Sequence, residues 1–375
     1  MAKAEPGRNA EPRLFRQLKQ DVRSVGADLR REGFRPVSRT FRDLQEFYLS
    51  SERKQRLADM NPVRRWIYFS AWIIKSLFLK LTHARRVMLV VGLVLVLTAG
   101  RVQFSSGNTS FEFNMPLTGI ALVLLVLMLE LKDKLLARDE LEAGRAVQVA
   151  LLPDRAPQVA GWDTWLYTQS ANDVGGDLVD WLALDDRRTA VTLGDVAGKG
   201  LPAALLMAKL QATIRAFATE FPALGEIGVR VNRIIDRDGL PNSFATWLYL
   251  VITSGSPVLR WVNAGHMPPL LVGAGAPREV ERGGPALGLI GSAEYQEQVT
   301  ELRPEEAFVV YSDGISEAMD RAGDFFGDDR LRATLSDVRG LSAEQIGRRV
   351  LASVAAFVGD APPHDDVSLV VVRRV

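Results

Sequence analysis

The stretch Gly194-Asp195-Val196-Ala197-Gly198-Lys199-Gly200 follows a short apolar segment, Thr189–Leu193, that is predicted to be a β-strand. An apolar strand that ends in an aspartate and turns on a glycine holds the carboxylate at a rigid edge of a sheet. A single Asp-Gly pattern of this kind is more often only a turn. The pattern becomes informative because it is repeated along the chain.

Three further segments place aspartates beside predicted strands in the same way. They are Gly175-Gly176-Asp177-Leu178-Val179-Asp180, Tyr311-Ser312-Asp313-Gly314 and Pro363-His364-Asp365-Asp366-Val367-Ser368. Four such strands meeting at one end of a sheet would gather several negative charges, which requires cations nearby. Hard divalent ions prefer oxygen ligands, so the sequence predicts Mg²⁺ or Mn²⁺.

The surrounding pattern predicts a layered α+β domain. Predicted strands are Trp162–Thr168, Leu178–Leu184, Thr189–Leu193, Phe244–Thr253, Leu259–Val262, Pro269–Val272, Ala307–Tyr311 and Val367–Val372. Predicted helices are Ala203–Thr219, Gly225–Asp236 and Ala343–Val358. The strands come in clusters and the helices in pairs, which argues against a doubly wound parallel sheet.

Taken together and in this order, the motifs resemble the SpoIIE-type bacterial branch of the metal-dependent, type-2C (PPM) serine/threonine protein phosphatases. Further motifs on which the resemblance rests are Gln148-Val149-Ala150-Leu151-Leu152-Pro153, Phe244-Ala245-Thr246, Asn263-Ala264-Gly265-His266, Leu287-Gly288-Leu289, Ile315-Ser316-Glu317-Ala318 and Phe326-Gly327. The resemblance implies a two-sheet antiparallel β-sandwich flanked by helices over residues 153–375.

The resemblance also implies a site for two metal ions, Mn²⁺ or Mg²⁺. Asp195 would bridge both ions, and the Val196 carbonyl would complete one coordination shell. Asp313 and Asp365 would hold the first ion, and Asp177 would contact the second directly or through water. These four aspartates are the predicted catalytic residues. Two ions can lower the pKa of a bridging water and neutralise phosphate oxygens.

Three nearby residues keep open roles at this point. Asp180 and Asp366 are candidates for supporting or structural roles. His266 could donate a proton to a leaving group, although a structural role in a Gly-His turn is favoured. No arginine lies shortly before Gly175, where the eukaryotic type-2C enzymes resemble one another in using an early arginine to grip phosphate. Phosphate binding would then fall mainly to the metals.

Composition excludes several other classes of protein. The chain has no cysteine and three histidines, which excludes a cysteine nucleophile, disulfides and a thiolate zinc site. Its 46 basic and 45 acidic side chains give no nucleic-acid signal. Gly175-Gly176-Asp177 lacks the Glu-Phe continuation of diguanylate cyclases, and Gly194–Gly200 lacks the spacing and hydroxyl residue of a P-loop.

The N-terminal third predicts attachment to a membrane. Residues 1–65 carry 16 basic and 9 acidic side chains and are predicted to be a basic, largely disordered cytoplasmic segment. Residues 66–131 are predicted to hold an aromatic, basic interfacial helix and a transmembrane hairpin with spans at about 87–104 and 111–129. Core helices of a soluble domain are the alternative.

Basic residues flank the outer ends of the two spans, which places both ends in the cytoplasm by the positive-inside rule. The predicted location is the bacterial inner or plasma membrane. Residues 132–152 are predicted to form a helical linker with an apolar stripe. This stripe suits either a homodimer or a monomeric docking helix, and the sequence leaves both open.

The predicted function is therefore a membrane-anchored phosphatase that acts on phosphoserine or phosphothreonine of a regulatory protein. By resemblance, this substrate is a STAS-type anti-anti-sigma factor in bacterial signalling. The alternative is a membrane-tethered scaffold that binds a switch protein without hydrolysing it.

Overall fold

The computed structural model describes residues 61–375, except residues 99, 107–108 and 240–242. The chain forms two compact units, residues 1–133 and 134–375. The predicted disordered segment lies outside the described residues up to residue 60. Its last residues belong to a helix that begins at Pro62.

The first unit contains helices and one β-hairpin. Its elements are α1 (Pro62–Lys80), α2 (His83–Leu97), β1 (Arg101–Ser106), β2 (Thr109–Asn114) and the first part of α3 (Met115–Leu151). Helix α3 ends in the second unit, and residues 132–151 of the predicted linker lie in this helix.

The predicted bounds of the two spans, 87–104 and 111–129, are wrong. Helix α2 ends at Leu97, and the segments 101–106 and 109–114 pair as an antiparallel hairpin. These segments alternate apolar and polar residues, which is the period of a β-strand. Among the described residues, α3 is the one helix long and apolar enough to cross a membrane, by length and composition only.

Helix α2 packs closely against the start of α3. A Cβ added at Gly92 would lie 3.1 Å from the Gly119 carbonyl oxygen, and one at Gly119 would lie 2.5 Å from the Gly92 carbonyl oxygen. Arg85 forms ion pairs of 2.7 Å with both Glu130 and Asp133. Paired glycines allow two helices to approach, as is common between membrane helices.

The second unit is a sandwich of two five-stranded antiparallel sheets. The strands are β3 (Trp162–Gln169), β4 (Leu178–Ala183), β5 (Arg188–Val196), β6 (Ala245–Thr253), β7 (Val258–Ala264), β8 (Leu270–Val272), β9 (Arg278–Glu279), β10 (Gln298–Glu301), β11 (Ala307–Tyr311) and β12 (Val367–Arg374). The first sheet has the order β10-β7-β6-β5-β4 and the second β3-β12-β11-β8-β9.

Helices cover the outer faces of both sheets. They are α4 (Leu201–Ala218), α5 (Leu224–Asp238), α6 (Asp313–Ser316), α7 (Gly327–Thr334) and α8 (Ala343–Val358). Helices α4 and α5 share an apolar cluster with the first sheet, and α7 and α8 share one with the second. The predicted α+β fold is confirmed.

Strand β6 shows how the sequence builds these layers. Leu248 and Leu250 belong to the cluster between the sheets, where Phe308 of the second sheet also lies. Trp247 and Tyr249 belong instead to the cluster under α4 and α5. Alternate residues of a strand point to opposite faces, so a nearly continuous apolar strand is buried on both sides.

Candidate metal centre

The four predicted aspartates lie where two strands from each sheet meet one end of the sandwich. Asp177 directly precedes β4, and Asp195 is the next-to-last residue of β5. Asp313 begins α6, two residues after β11, and Asp365 lies two residues before β12. Because β4 pairs antiparallel with β5, the start of one lies beside the end of the other, and the same holds for β11 and β12. The charges of Asp313 and Asp365 also act on Asp195, so the segments from the two sheets lie close to one another.

The carboxylates of this cluster repel one another in a largely buried environment. Burial, together with the charges of Asp313, Asp365 and Asp366, raises the pKa of Asp195 to about 7. Burial raises the pKa of Asp177 well above its usual range, with Asp195 the next cause. The Oδ2 atom of Asp177 is buried without a hydrogen-bond partner. In the described part of the chain, Lys199 is the one basic side chain that forms an ion pair with these four aspartates, so the negative charge of the cluster exceeds the positive charge beside it.

The side chains as they stand do not form a finished coordination shell. In the part of the chain that the structure describes, no group of three or more His, Asp or Glu side chains is arranged to hold a metal ion. Lys199 instead places its Nζ 3.0 Å from Asp365 Oδ2 and donates to the His364 carbonyl at 2.9 Å. The donor set still fits a divalent cation, because Asp177 Oδ2 is buried and unpartnered beside another carboxylate.

Asp366 has two roles. Its charge acts on the aspartate cluster, and its carboxylate also holds the loop before β4. Its carboxylate accepts hydrogen bonds from the backbone N–H groups of Ala171 at 2.8 Å and Gly176 at 2.7 Å, and from Asp177 at 3.4 Å. A Cβ at Gly175 would overlap this carboxylate, and one at Gly314 would overlap the Asp366 carbonyl. The glycines of both motifs are therefore required by close approach to Asp366.

Asp180 has a structural partner set of its own. Arg215 donates to both of its oxygens at 2.7 Å, and Gln211 donates to Oδ2 at 2.9 Å. The backbone N–H of Trp181 donates to Oδ1 at 2.8 Å. Asp180 is thus a buried carboxylate whose charge is balanced, and it does not join the metal cluster.

His266 lies in a buried turn. Its Nδ1 is 2.8 Å from Thr246 Oγ1, and its backbone N–H donates to Asn263 Oδ1 at 2.8 Å. Burial lowers the pKa of His266 to about 4, which keeps the imidazole neutral near pH 7. These contacts support the structural role that the sequence favoured.

Sequence reasoning missed Gln148 and Arg215. Gln148 lies in the motif Gln148–Pro153, but its partner is Gly175, 27 residues further along the chain. Arg215 lies on α4, 35 residues after Asp180. Helical spacing does not predict either contact. A glutamine next to the apolar stripe of the linker helix is the one signal that could have indicated a buried polar contact at residue 148.

Comparison with known proteins first defines the class. The second unit resembles the SiaA-PP2C domain of Pseudomonas aeruginosa with a TM-score of 0.58 at 20% identity, over 65% of this chain and 99% of that domain. The fold is therefore that of a PP2C-type phosphatase domain.

The family follows from the sequence match. The family model for Stage II sporulation protein E (SpoIIE) matches residues 185–375, and the chain belongs to this family. The match includes Asp195, Asp313 and Asp365 and begins after Asp177. Membership confirms the predicted family and supports the predicted enzyme class, a protein-serine/threonine phosphatase.

Two curated relatives extend the likeness. Protein IcfG of Synechocystis sp. (strain ATCC 27184 / PCC 6803 / Kazusa) is 27% identical over 274 residues, which cover 65% of this chain and 43% of that protein. Phosphoserine phosphatase RsbU of Bacillus subtilis (strain 168) is 24% identical over 239 residues, which cover 63% of this chain and 70% of RsbU. The chain thus spans less than half the length of IcfG.

Proposed function

We propose that this chain is a membrane-anchored, metal-dependent serine/threonine protein phosphatase of bacterial signalling. The observation that carries the proposal is the cluster of four aspartates at one end of the sandwich. Their burial and mutual repulsion raise the pKa of Asp195 to about 7. A buried excess of negative charge is costly unless a cation balances it.

The proposed ligands are those that the sequence indicated. Asp195 would contact both ions, with the Val196 carbonyl beside it, and Asp313 and Asp365 would hold one ion. Asp177 would hold the other. When bound, two Mn²⁺ or Mg²⁺ ions supply Lewis acidity and an activated water for in-line attack on a phosphoryl group.

The chain's own residues prepare the site. Gly176 brings the backbone of the Asp177 loop against β5, where a Cβ would lie 2.9 Å from the Val196 carbonyl oxygen. Lys199 neutralises part of the Asp365 charge at the exposed side of the cluster. The chain contains no cysteine, so no thiol nucleophile competes with hydrolysis by water.

The proposed substrate is phosphoserine or phosphothreonine on a regulatory protein, such as a STAS-type anti-anti-sigma factor. Its support is family membership and the likeness to a relative named phosphoserine phosphatase RsbU. The test is release of phosphate from p-nitrophenyl phosphate and from a phosphoserine-bearing STAS protein with and without Mn²⁺. Asp195→Asn and Asp313→Asn are the inactive controls. Near-normal release by either variant would contradict the site, and binding without release by the wild type would favour the scaffold.

The proposed anchor is the hairpin of α2 and the first part of α3. Its support is the apolar length of α3, the Gly92–Gly119 contact and the many exposed apolar side chains of both helices. These include Val90, Leu93 and Leu124. Two spans with both ends in the cytoplasm would keep the phosphatase unit near its soluble substrate. Release of the full chain from membranes by alkaline carbonate would contradict the anchor.

The proposed homodimer would form through the linker part of α3. Leu135 and Leu136 expose about half of their surface there, at 51% and 50%. Exposed leucines on a long helix are typical of a helix-pairing surface. Light scattering of the purified full chain would distinguish a dimer from a monomer, and a monomer at all concentrations would contradict the proposal.

A further inference from the structure

Gln148 makes a reciprocal pair of hydrogen bonds with the loop that carries Asp177. Its side-chain Nε2 donates to the Gly175 carbonyl oxygen at 2.7 Å, and the Gly175 N–H donates to Oε1 at 3.1 Å. Gln148 is 8% exposed, so both bonds are shielded from water. One amide thus satisfies the donor and the acceptor of a single backbone residue two positions before Asp177.

The same loop is held from its other side by Asp366. The carboxylate binds the N–H of Gly176, the residue next to Gly175, and also the N–H of Ala171. Gly175 therefore lies between an amide from α3 and a carboxylate from the start of β12. A Cβ at this position would overlap Asp366, which shows how closely the Gly175 backbone lies to that carboxylate. The two hydrogen bonds of Gln148 hold the same residue from α3.

The end of α3 that bears Gln148 is itself fixed in place. Gln211 of α4 donates to the Leu151 carbonyl at 2.8 Å and to Asp180 at 2.9 Å. One turn before Gln148, a Cβ at Gly144 would meet Leu201 at 3.6 Å and Val174 at 4.0 Å. The hydrogen bond from Gln211 therefore holds this end of α3, which bears Gln148, against α4.

We propose that Gln148 is a positioning residue for metal binding: it holds the Gly175–Asp177 loop so that the Asp177 carboxylate stays in the cluster. The side chains of Ser312 and Ser368 reach the Asp177 carboxylate, but its Oδ2 lacks a hydrogen-bond partner. The position of the carboxylate in the cluster also depends on the backbone that Gln148 and Asp366 hold. This inference rests on the proposed metal-dependent function and adds to it a residue outside the ring of ligands.

The test substitutes Gln148→Met in the full chain, purified in detergent. Methionine keeps the length of the side chain and removes both hydrogen bonds. Residues that orient metal ligands typically change metal affinity by about 10- to 100-fold when replaced. We expect the Mn²⁺ dissociation constant from calorimetry to rise about tenfold, with near-normal turnover at saturating Mn²⁺.

A second readout does not depend on metal or turnover. Amide hydrogen exchange of residues 170–177 in metal-free protein should become at least several-fold faster in the variant, because Gly175 loses its acceptor. The matched control is Gln345→Met on α8, which removes the hydrogen bond from the Ser342 N–H to Gln345 Oε1 far along the chain. This control should lower the melting temperature and leave Mn²⁺ affinity and loop exchange unchanged.

Unchanged Mn²⁺ affinity and unchanged loop exchange in Gln148→Met would overturn the proposal. Equal loss of activity at every Mn²⁺ concentration, with Mn²⁺ affinity intact, would also overturn it, since that result indicates general destabilisation. Failure of the proposed function has a different signature. A wild type that binds Mn²⁺ without releasing phosphate would refute the phosphatase and leave the affinity and exchange comparison valid.

Discussion

Two buried carboxylate sites lie three residues apart on the same segment and differ in their charge balance. Asp180 is surrounded by donors from Arg215 and Gln211, and its charge is neutralised within the protein. Asp177 has other carboxylates around it, with Asp195 the largest charge acting on its pKa. The first arrangement is typical of structure and the second of a site that awaits a cation.

This contrast predicts that an aspartate-to-asparagine substitution has opposite effects at Asp195, in the negative cluster, and at Asp180. Asp195→Asn should reduce Mn²⁺-dependent turnover about 1,000-fold, equivalent to ~4 kcal/mol of transition-state stabilisation. The metal-free protein should melt at an equal or higher temperature, because one repelling charge is gone. Phosphate release and thermal melting, measured on one preparation, check both statements. Loss of activity together with a collapsed melting temperature would mean that Asp195 is structural.

Asp180→Asn should do the reverse. It removes a charge-assisted contact with Arg215 and leaves a partly exposed guanidinium without its partner, which costs about 2 kcal/mol of unfolding free energy. For a unit of this size, the melting temperature should fall by about 5 °C. Mn²⁺ affinity should stay within about twofold of the wild type. A large loss of Mn²⁺ affinity at normal stability would instead place Asp180 among the ligands.

The pH dependence should differ between the metal-free and metal-loaded protein. A folded-state pKa of about 7 for Asp195 lies above its unfolded value, so its contribution to metal-free stability is lost as pH rises toward 7. A bound cation favours the deprotonated form and reverses this loss. The melting shift caused by Mn²⁺ should therefore grow between pH 5.5 and pH 8, as scanning calorimetry can measure. Asp195→Asn should flatten that trend, and a shift that shrinks with pH would contradict the assignment.

The smallest expected effect concerns Lys199. Its Nζ competes with a cation for Asp365 Oδ2 at 3.0 Å, but the side chain is half exposed and screened by water. Lys199→Met should tighten Mn²⁺ binding by about twofold, since surface ion pairs contribute little. Calorimetric titration against Arg339→Met, which breaks an exposed pair with Asp337, provides the control. Weaker Mn²⁺ binding in Lys199→Met would show that the lysine supports the site.

Much of the fold and of the candidate site could be predicted because the signals are local. Strand Ala307–Tyr311 is a short unbroken apolar run, and helix Ala343–Val358 has apolar residues at helical spacing; both match the structure at both ends. The aspartates could be predicted because each adjoins a strand end. Their roles as ligands remain a prediction that chemistry has to test.

The rest depends on contacts between distant parts of the chain. Gln148 binds Gly175, 27 residues away, and Asp366 binds Gly176, 190 residues away. No local sequence pattern predicts such pairs. The helix bounds in the first unit were wrong for another reason. The apolar run ends at Gly100, and the predicted span was extended to Phe104 to approach the length that crosses a bilayer, whereas strand β1 begins at Arg101. A short β-strand that directly follows a long apolar run is easily mistaken for a continuation of the apolar helix.

A crystal structure of the protein grown with Mn²⁺, with anomalous scattering recorded to locate the ions, tests the metal site most directly. We expect anomalous peaks at the end of the sandwich, with carboxylate oxygens of Asp195, Asp313 and Asp365 at about 2.0–2.6 Å from a peak. Asp180 should remain bound to Arg215. Peaks elsewhere on the protein, or a cluster without any peak at saturating Mn²⁺, would show that these aspartates are not the metal ligands.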